Sequence, residues 1–254
     1  MTKTFLNAEK PLLTVMIQTP KPEYAIETAK SALSKGAEAF GLQACKLEFE
    51  YRNKETYRRI FDAMEDRPVY VTNYRTGLNK NEKSDDELGE GLILLAESGA
   101  TLIDVMGDYY DKNDNELTFD PKAVDKQLRL IDRIHALGGE VLMSTHICKS
   151  FHSADEILSI AHEHEKRGAD IAKIVSYAEN EEQQIENLRI TALLKKELKI
   201  PFLFLSGGVC DIHRRVGGRL GSCMYLCVDH HDELSTKSQP LLTDLKLLRD
   251  TLNL

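Results

Sequence analysis

The sequence of 254 residues contains no tryptophan, only five cysteines and no long uninterrupted apolar run. No apolar run reaches the about 18 residues that a membrane-spanning helix needs, and the first residues carry no signal-peptide pattern. The cysteines are odd in number and most lie in apolar runs, which indicates reduced thiols rather than a disulfide framework. Basic residues number 33 against 41 acidic residues, for a net charge of -8. Because no region carries a strong basic excess, we expect a cytoplasmic protein that binds neither nucleic acid nor a membrane.

Short apolar runs alternate with helix-length segments along the whole chain. The predicted strands cover residues 12–18, 37–44, 69–73, 102–106, 140–146, 170–176, 201–205 and 224–228. The predicted helices cover residues 22–35, 53–64, 84–98, 120–137, 153–167, 181–198 and 241–252. A helix between two strands returns the chain so that the strands run parallel, and eight such units need about 250 residues. We therefore predict that residues 1–254 form one α/β domain, a single (β/α)8 TIM barrel.

Polar residues mark where several of these helices begin. Ser84 is followed three residues later by Glu87, and Ser153 by Glu156, the spacing of a capping box. Asp120 precedes a proline, which is typical of an N-cap and a first helical position. These signals place the start of three predicted helices.

Two titratable residues stand out on neighbouring predicted strands. His146 ends the strand that begins at Glu140, and Lys173 lies inside the strand that follows the next helix. An ammonium group inside a buried strand is costly, and titratable groups near the carboxyl ends of barrel strands are typical of catalysis. A desolvated lysine near a histidine suits an amine nucleophile and its proton shuttle. A lysine that extends from a strand end to solvent and a histidine that caps a turn would also give this pattern.

Cysteine and histidine residues near the last strand could indicate a metal site. Cys223 and Cys227 are followed by His230 and His231. Four residues of strand separate the two sulfur atoms by about 13 Å, whereas zinc–sulfur bonds are about 2.3 Å long. One zinc ion cannot bind both sulfur atoms, so we expect packed thiols and no metal.

The second half of the sequence resembles the type I 3-dehydroquinate dehydratases. The strand ending in Met-Ser-Thr-His146 resembles the family's Met-Ser-x-His, and Gly-Ala-Asp-Ile-Ala-Lys173-Ile resembles its Gly-Ala-Asp-Ile-x-Lys-Ile. Further matches are Ile-His-Arg214, a glycine pair, Gly-Ser222 and the loop from Ser235 to Gln239. The resemblance covers nearly the whole chain in strand order and is specific from about Leu142 onward. It implies a (β/α)8 enzyme of the shikimate pathway, which serves aromatic amino acid biosynthesis.

The resemblance also implies roles for individual residues. Lys173 would form an imine with the substrate ketone, and His146 would remove the α-proton and return a proton to the departing hydroxyl. Arg214 would bind the substrate carboxylate, and Ser235 and Gln239 would close over the ring. The implied partner is a small-molecule keto acid, with no cofactor, and the implied assembly is a homodimer.

The first half of the sequence departs from the family pattern at the positions that bind substrate hydroxyls. Arg75 aligns with the family's arginine after the third strand. Gln43 and Cys45 stand where the family has a glutamate and an arginine, and Asn79 stands where it has a glutamate. The family uses these charges to bind hydroxyls and to orient the histidine. We therefore expect the substrate to be either 3-dehydroquinate or a related β-hydroxy ketone that carries a carboxylate.

Two other functions are compatible with the sequence. Gly207 and Gly208, together with Gly217, Gly218 and Gly221, resemble the phosphate-binding loops of many barrels. This pattern would suit a class I aldolase that acts on a phosphorylated sugar through Lys173. A catalytically silent barrel used for binding is the other alternative, although a buried lysine without a task would be a stability cost.

Overall fold

The computed structural model describes residues 4–80 and 82–252, and these form a parallel barrel surrounded by helices. All strand pairs are parallel, and the sheet runs in the order β7-β6-β5-β4-β3-β2-β1-β8. The strands are β1 Leu12–Ile17, β2 Ala39–Gln43, β3 Val69–Thr72, β4 Leu102–Met106, β5 Glu140–His146, β6 Ile171–Ala178, β7 Phe202–Gly208 and β8 Met224–Cys227. The prediction of a (β/α)8 barrel is confirmed.

A helix follows each strand. The helices are α1 Pro22–Ser34, α2 Lys54–Asp62, α3 Asp85–Glu97, α4 Pro121–Ala136, α5 Ala154–Lys166, α6 Glu181–Glu197, α7 His213–Leu220 and α8 Leu242–Leu252. Both predicted capping boxes form, at Ser84 and at Ser153, and the Asp120 side chain accepts backbone N–H bonds at the start of α4. Helix α7 was not among the helices predicted from sequence, because its Gly-Gly pair and short length weaken the helical pattern. No helix of the described residues is long and apolar enough to cross a membrane.

The barrel closes between β7 and β8 through a few specific contacts rather than a regular ladder. The backbone N–H of Cys223 donates to the carbonyl of Phe202 at 2.8 Å. One residue earlier, the Ser222 hydroxyl contacts both the N–H and the carbonyl of Phe204 at 3.3 Å. A serine side chain thus completes the backbone pairing at this seam.

Alternate strand residues fill the inside of the barrel, because successive side chains of a strand point to opposite faces. The amino-terminal end of this interior is covered by Phe5, which is buried among the apolar residues of the interior cluster. The backbone N–H of Phe5 donates to the carboxylate of Glu140 at 3.1 Å. The carboxyl end of the interior is polar, and the candidate site lies there.

Candidate active site

Lys173 lies in the middle of β6 and is buried within the barrel, with 3% of its surface exposed. Its Nζ donates to the hydroxyls of Tyr70 at 2.9 Å and Tyr74 at 2.6 Å, and to Oδ2 of Asp104 at 3.1 Å. An ammonium group has three N–H donors, so each donor of Lys173 has an acceptor. The buried lysine is therefore held in one position by a complete set of hydrogen bonds.

Asp104 is the counter-ion of this lysine and is fully buried on β4. Its Oδ1 accepts the hydroxyl of Ser144 at 2.5 Å, and its Oδ2 accepts the hydroxyls of Tyr70 and Tyr74. Burial acts to raise the pKa of the Asp104 carboxyl, but the charges of Lys173 and His146 and these hydrogen bonds outweigh burial and lower it. Asp104 is therefore a carboxylate.

The two tyrosines remain neutral phenols. Burial raises the pKa of Tyr70 and Tyr74 well above the usual range, and the nearby Asp104 carboxylate raises it further. Tyr70 is fully buried, whereas Tyr74 follows β3 and its ring meets the His146 ring edge-on, with centroids 5.2 Å apart. Tyr74 therefore connects the lysine cluster to the histidine.

His146, at the end of β5, is oriented by Glu116. Oε2 of Glu116 lies 2.8 Å from Nδ1 of the imidazole and also accepts the backbone N–H of His146 at 2.9 Å. Burial acts to raise the pKa of the Glu116 carboxyl, but the contacts with His146 outweigh burial and lower it. A carboxylate on Nδ1 favours the tautomer that leaves Nε2 free to accept a proton, which is what a general base requires.

The backbone of Glu116 adopts a left-handed conformation, with φ of 45°. This region is costly for residues other than glycine, and such strain concentrates at functional sites. The surrounding side chains hold the loop in place: Thr145 donates to the carbonyl of Glu116 at 3.1 Å, and Arg167 donates to the carbonyls of Gly107 and Thr118. The loop between β4 and α4 is thus fixed so that the Glu116 carboxylate reaches His146.

A cavity of about 150 Å³ opens above Lys173 at the carboxyl end of the barrel. Its lining includes His146 and Arg214 as well as the lysine, together with Met16, Gln43, Tyr70, Thr72, Tyr74, Val175, Leu205, Leu226, Thr236 and Gln239. Three buried polar atoms of this lining lack a partner within the described residues: Thr72 Oγ1, Arg214 Nε and Gln239 Oε1. Buried polar groups are normally hydrogen-bonded, so the described residues leave part of the polarity around this cavity unsatisfied.

Among the described residues, Arg214 is the cation of this cavity that has no acidic partner. Burial lowers the pKa of its guanidinium, and no carboxylate of the described chain offsets this effect. A guanidinium binds a carboxylate with two parallel hydrogen bonds, and a bound anion would compensate for the lost hydration. Arg214, on α7, therefore suits an anionic group of a ligand whose reacting carbon lies at Lys173.

Ser235 and Gln239 were both predicted to close over the ligand, and the structure separates them. Gln239 is buried and lines the lysine cavity. Ser235 bonds instead to the backbone N–H and carbonyl of Asp232 and lines a neighbouring cavity of about 540 Å³. Thr236 occupies the lysine cavity in its place, hydrogen-bonded to Gln18 at 3.0 Å.

Arg75 lies at the rim and is already paired with two carboxylates. It donates to both oxygens of Asp85 at 2.6 Å and to Oδ1 of Asp108 at 2.7 Å. Burial acts to lower the pKa of its guanidinium, but the two carboxylates outweigh burial and raise it. Arg75 lines an adjacent cavity of about 450 Å³ that it shares with His146. It is therefore placed beside the lysine cavity rather than within it.

The altered positions of the first half have different placements. Gln43 lines the lysine cavity, whereas Cys45 is buried, with its sulfur 3.7 Å from the Thr76 hydroxyl. Asn79 is also buried; it donates to the carbonyl of Tyr74 at 2.8 Å and accepts from Arg52. Asn79 thus stabilises the loop after β3.

Sequence reasoning did not identify Asp104, Glu116, Tyr70 or Tyr74. The signal for Asp104 was present, since an acidic residue inside the run Leu-Ile-Asp-Val-Met is as unusual as the lysine in β6. Glu116 had no comparable signal in its polar loop. Among the described residues, no group of three or more His, Cys, Asp or Glu side chains could hold a metal ion.

The chain is similar to known proteins in both sequence and fold. A family model for type I 3-dehydroquinase matches residues 13–254. A curated 3-dehydroquinate dehydratase from Alkaliphilus oremlandii is 34% identical over 108 residues. That match spans 42% of this chain and 41% of the relative's length.

Solved structures show the same fold. A 3-dehydroquinate dehydratase from Geobacillus kaustophilus has a TM-score of 0.81 at 17% identity, with 98% of this chain and 93% of that chain covered. A type I 3-dehydroquinate dehydratase from Clostridium difficile, crystallised with covalently modified comenic acid, has a TM-score of 0.79 at 20% identity, with 97% and 94% covered.

Proposed function

Because this chain belongs to the type I 3-dehydroquinase family, we propose that it is a hydro-lyase that dehydrates 3-dehydroquinate or a closely related β-hydroxy keto acid. The observation that carries the proposal is the buried Lys173, which opens into a cavity shared with His146 and Arg214. These three groups supply a nucleophilic amine, a general base and an anion-binding guanidinium.

Lys173 is the residue that forms the imine. Its side chain lines the cavity and its Nζ is fixed by Tyr70, Tyr74 and Asp104, so the attacking atom is already in position. Loss of one proton to the carboxylate of Asp104 would give the free amine that attacks a ketone. The protonated imine then withdraws electrons from the neighbouring carbon and makes its proton removable.

His146 moves the protons of the elimination. The imidazole lines the same cavity, with Glu116 on its Nδ1 side. It would take the proton from the carbon next to the imine and return a proton to the departing hydroxyl. The Glu116 carboxylate stabilises the imidazolium that forms between these two steps, as an adjacent carboxylate does for a catalytic histidine in general.

The anionic end of the substrate would bind Arg214. We expect Arg214→Ala to raise KM by roughly 10-fold or more while kcat falls less, because a charge-assisted hydrogen bond contributes about 1.5–3 kcal/mol to binding in both ground and transition states. Steady-state kinetics with 3-dehydroquinate measure both constants. Arg215→Ala is the matched control, since Arg215 is the next residue of α7, is exposed and contacts Asp211. A fall in kcat with KM unchanged would contradict this role of Arg214.

The left-handed backbone of Glu116 gives a prediction about stability. At most positions a protein with glycine is less stable than the same protein with alanine. A left-handed backbone conformation reverses this order, because it costs about 1–2 kcal/mol for residues that carry a Cβ. We therefore expect Glu116→Gly to be more stable than Glu116→Ala by about 1 kcal/mol, although both lose the same contact with His146. Urea unfolding of the two variants measures the difference. If the alanine variant is the more stable one, Glu116 does not have this backbone conformation in solution.

Borohydride reduction tests the proposed chemistry directly. The protein is mixed with 3-dehydroquinate, reduced and analysed by intact mass, and a parallel sample contains a phosphorylated keto sugar. We expect a covalent adduct on Lys173 with the keto acid. An adduct with the sugar phosphate alone would favour the aldolase alternative. The absence of any adduct or turnover with either compound would favour a barrel that only binds.

We also propose that the enzyme is cytoplasmic and forms a homodimer. Light scattering on the purified protein would give the mass of the assembly, for comparison with the 28.7 kDa of one chain.

A further inference from the structure

Tyr74 lies where a second proton carrier would be useful. Its hydroxyl is 2.6 Å from Nζ of Lys173 and 2.5 Å from Oδ2 of Asp104, and its side chain lines the lysine cavity. It also lines the adjacent cavity, which His146 lines as well. The hydroxyl therefore contacts the attacking nitrogen and the nearest base, and the side chain that carries it borders the space that a ligand would occupy.

Imine formation requires proton transfers that are separate from those of the elimination. An ammonium group and a ketone give a protonated imine and water, so two protons of the ammonium must reach the ketone oxygen. That oxygen is attached to the carbon that bonds to Nζ. It therefore comes within hydrogen-bond reach of a hydroxyl that is 2.6 Å from Nζ.

We propose that Tyr74 is a catalytic residue that carries these protons from Lys173 and Asp104 to the ketone oxygen. The inference rests on the proposed function, because it assumes that Lys173 forms an imine. It assigns imine formation to Tyr74 and leaves the elimination to His146.

The proton transfers of imine formation return Tyr74 and Asp104 to the protonation states in which they began. Lys173 first gives one proton to Asp104, and the free amine attacks the carbonyl carbon. Tyr74 donates its phenolic proton to the new alkoxide and regains a proton from the nitrogen. The proton held by Asp104 then passes through Tyr74 to the hydroxyl, which leaves as water while the nitrogen lone pair forms the C=N bond. Asp104 is again a carboxylate, and the imine carries the positive charge that Lys173 carried before.

The environment of Tyr74 suits a carrier that never holds a full negative charge. Burial raises the pKa of its phenol well above the usual range, and the Asp104 carboxylate raises it further. A free phenolate is therefore disfavoured, and donation to the oxygen must accompany acceptance from the nitrogen or from Asp104. The contacts to both donors are already in place.

Tyr70 contacts the same two atoms but differs in its position. It is fully buried on β3, and its hydroxyl is 2.9 Å from Nζ. Tyr74 follows the end of the strand and packs against His146. Both side chains line the lysine cavity, but only Tyr74 of the two also lines the adjacent cavity, so Tyr74 borders more of the space that a ligand would occupy.

Exchange of the ketone oxygen with ¹⁸O-labelled water measures imine formation without requiring the elimination. With 3-dehydroquinate, we expect Tyr74→Phe to slow this exchange by roughly 10²-fold, within the usual range for loss of general acid–base catalysis. His146→Ala should still exchange the oxygen although its turnover is lost. Tyr109→Phe is the matched control, because Tyr109 is also a buried phenol but donates to the carbonyl of Asn73 and does not contact Nζ.

Two further variants separate proton transfer from positioning. Tyr74→Gln keeps an amide that can hydrogen-bond to Lys173 and Asp104 but cannot relay a proton, so the same loss is expected as in Tyr74→Phe. Thermal unfolding will show whether each variant folds. If Tyr74→Phe does not fold, Tyr74→Gln supplies the second test. Tyr70→Phe should slow the exchange less than Tyr74→Phe.

The possible failures can be told apart. If the wild-type protein neither exchanges the oxygen nor forms an adduct, the proposed function itself fails. Exchange at the wild-type rate in Tyr74→Phe overturns the role of Tyr74 alone, and recovery in Tyr74→Gln shows that hydrogen bonding rather than proton transfer matters. An equal or larger loss in Tyr70→Phe also overturns the assignment, since both phenols would then act only by holding Lys173.

Discussion

Lys173→Ala should remove both turnover and covalent trapping of the substrate. Removal of a catalytic nucleophile leaves only the rate that binding and the remaining groups provide, so we expect a loss of about 10⁴-fold or more. Steady-state kinetics and intact-mass analysis after borohydride reduction give the two readouts. Lys149→Ala is the control, because Lys149 lies near the site but is exposed and paired with Asp114. Adduct formation in the Lys173 variant would assign the chemistry to a different lysine.

The stability of this variant needs its own measurement. Removing one partner of a buried ion pair leaves the other uncompensated and typically costs about 3–5 kcal/mol. Asp104 would keep its bonds from Ser144, Tyr70 and Tyr74, which limits the loss. The double variant Lys173→Met with Asp104→Asn removes both charges and should be more stable than Lys173→Ala. It should be equally inactive, which would show that inactivity does not result from unfolding.

The sequence predicted the barrel well because its signals are local. Apolar runs of strand length, capping boxes at Ser84 and Ser153 and the Asp-Pro pair at residue 120 each depend on a few neighbouring residues. Helix α7 was missed because Gly217 and Gly218 lower its intrinsic helix propensity. Packing stabilises this helix: a Cβ on Gly218 would lie 2.3 Å from the Tyr225 ring. Close approach to β8 therefore requires glycine here.

The lysine environment was only partly predictable. Lys173 stood out as a charge inside an apolar strand, and Asp104 could have been found by the same reasoning. Their pairing could not, because β4 and β6 are separated by β5 and only the closed barrel brings their inner faces together. The position of Tyr74 depends on where the chain leaves β3, and boundaries of this kind are poorly defined by pattern alone.

The position of Glu116 beside His146 could not be predicted from the sequence. It lies 30 residues before His146, in a loop without regular structure. Its position depends on tertiary contacts, including the bond from Thr145 to its carbonyl and the bonds from Arg167 to the loop. The resemblance implied an orienting glutamate after the third strand, where Asn79 stands in this sequence, whereas the carboxylate that contacts His146 in the structure belongs to Glu116, in the loop after β4.

His146→Ala should separate imine formation from elimination. We expect kcat to fall by roughly 10²–10⁴-fold, the usual range for a general acid–base residue, while the imine still forms on Lys173. The intact mass after borohydride reduction should therefore show the adduct of the unreacted keto acid. His152→Ala is the matched control, because His152 is partly exposed and its ring is hydrogen-bonded to the carbonyl of Ser150, outside the lysine cavity. Unchanged turnover in His146→Ala would refute the assignment.

The role of Glu116 can be tested against the same variant. If Glu116 acts only by orienting and stabilising His146, then Glu116→Gln should lower kcat in the wild-type background by roughly 10-fold or more and have little effect in the His146→Ala background. Such non-additivity is expected for groups that act as a unit. Additive losses in the double variant would mean that Glu116 contributes through a separate contact, such as one with the substrate.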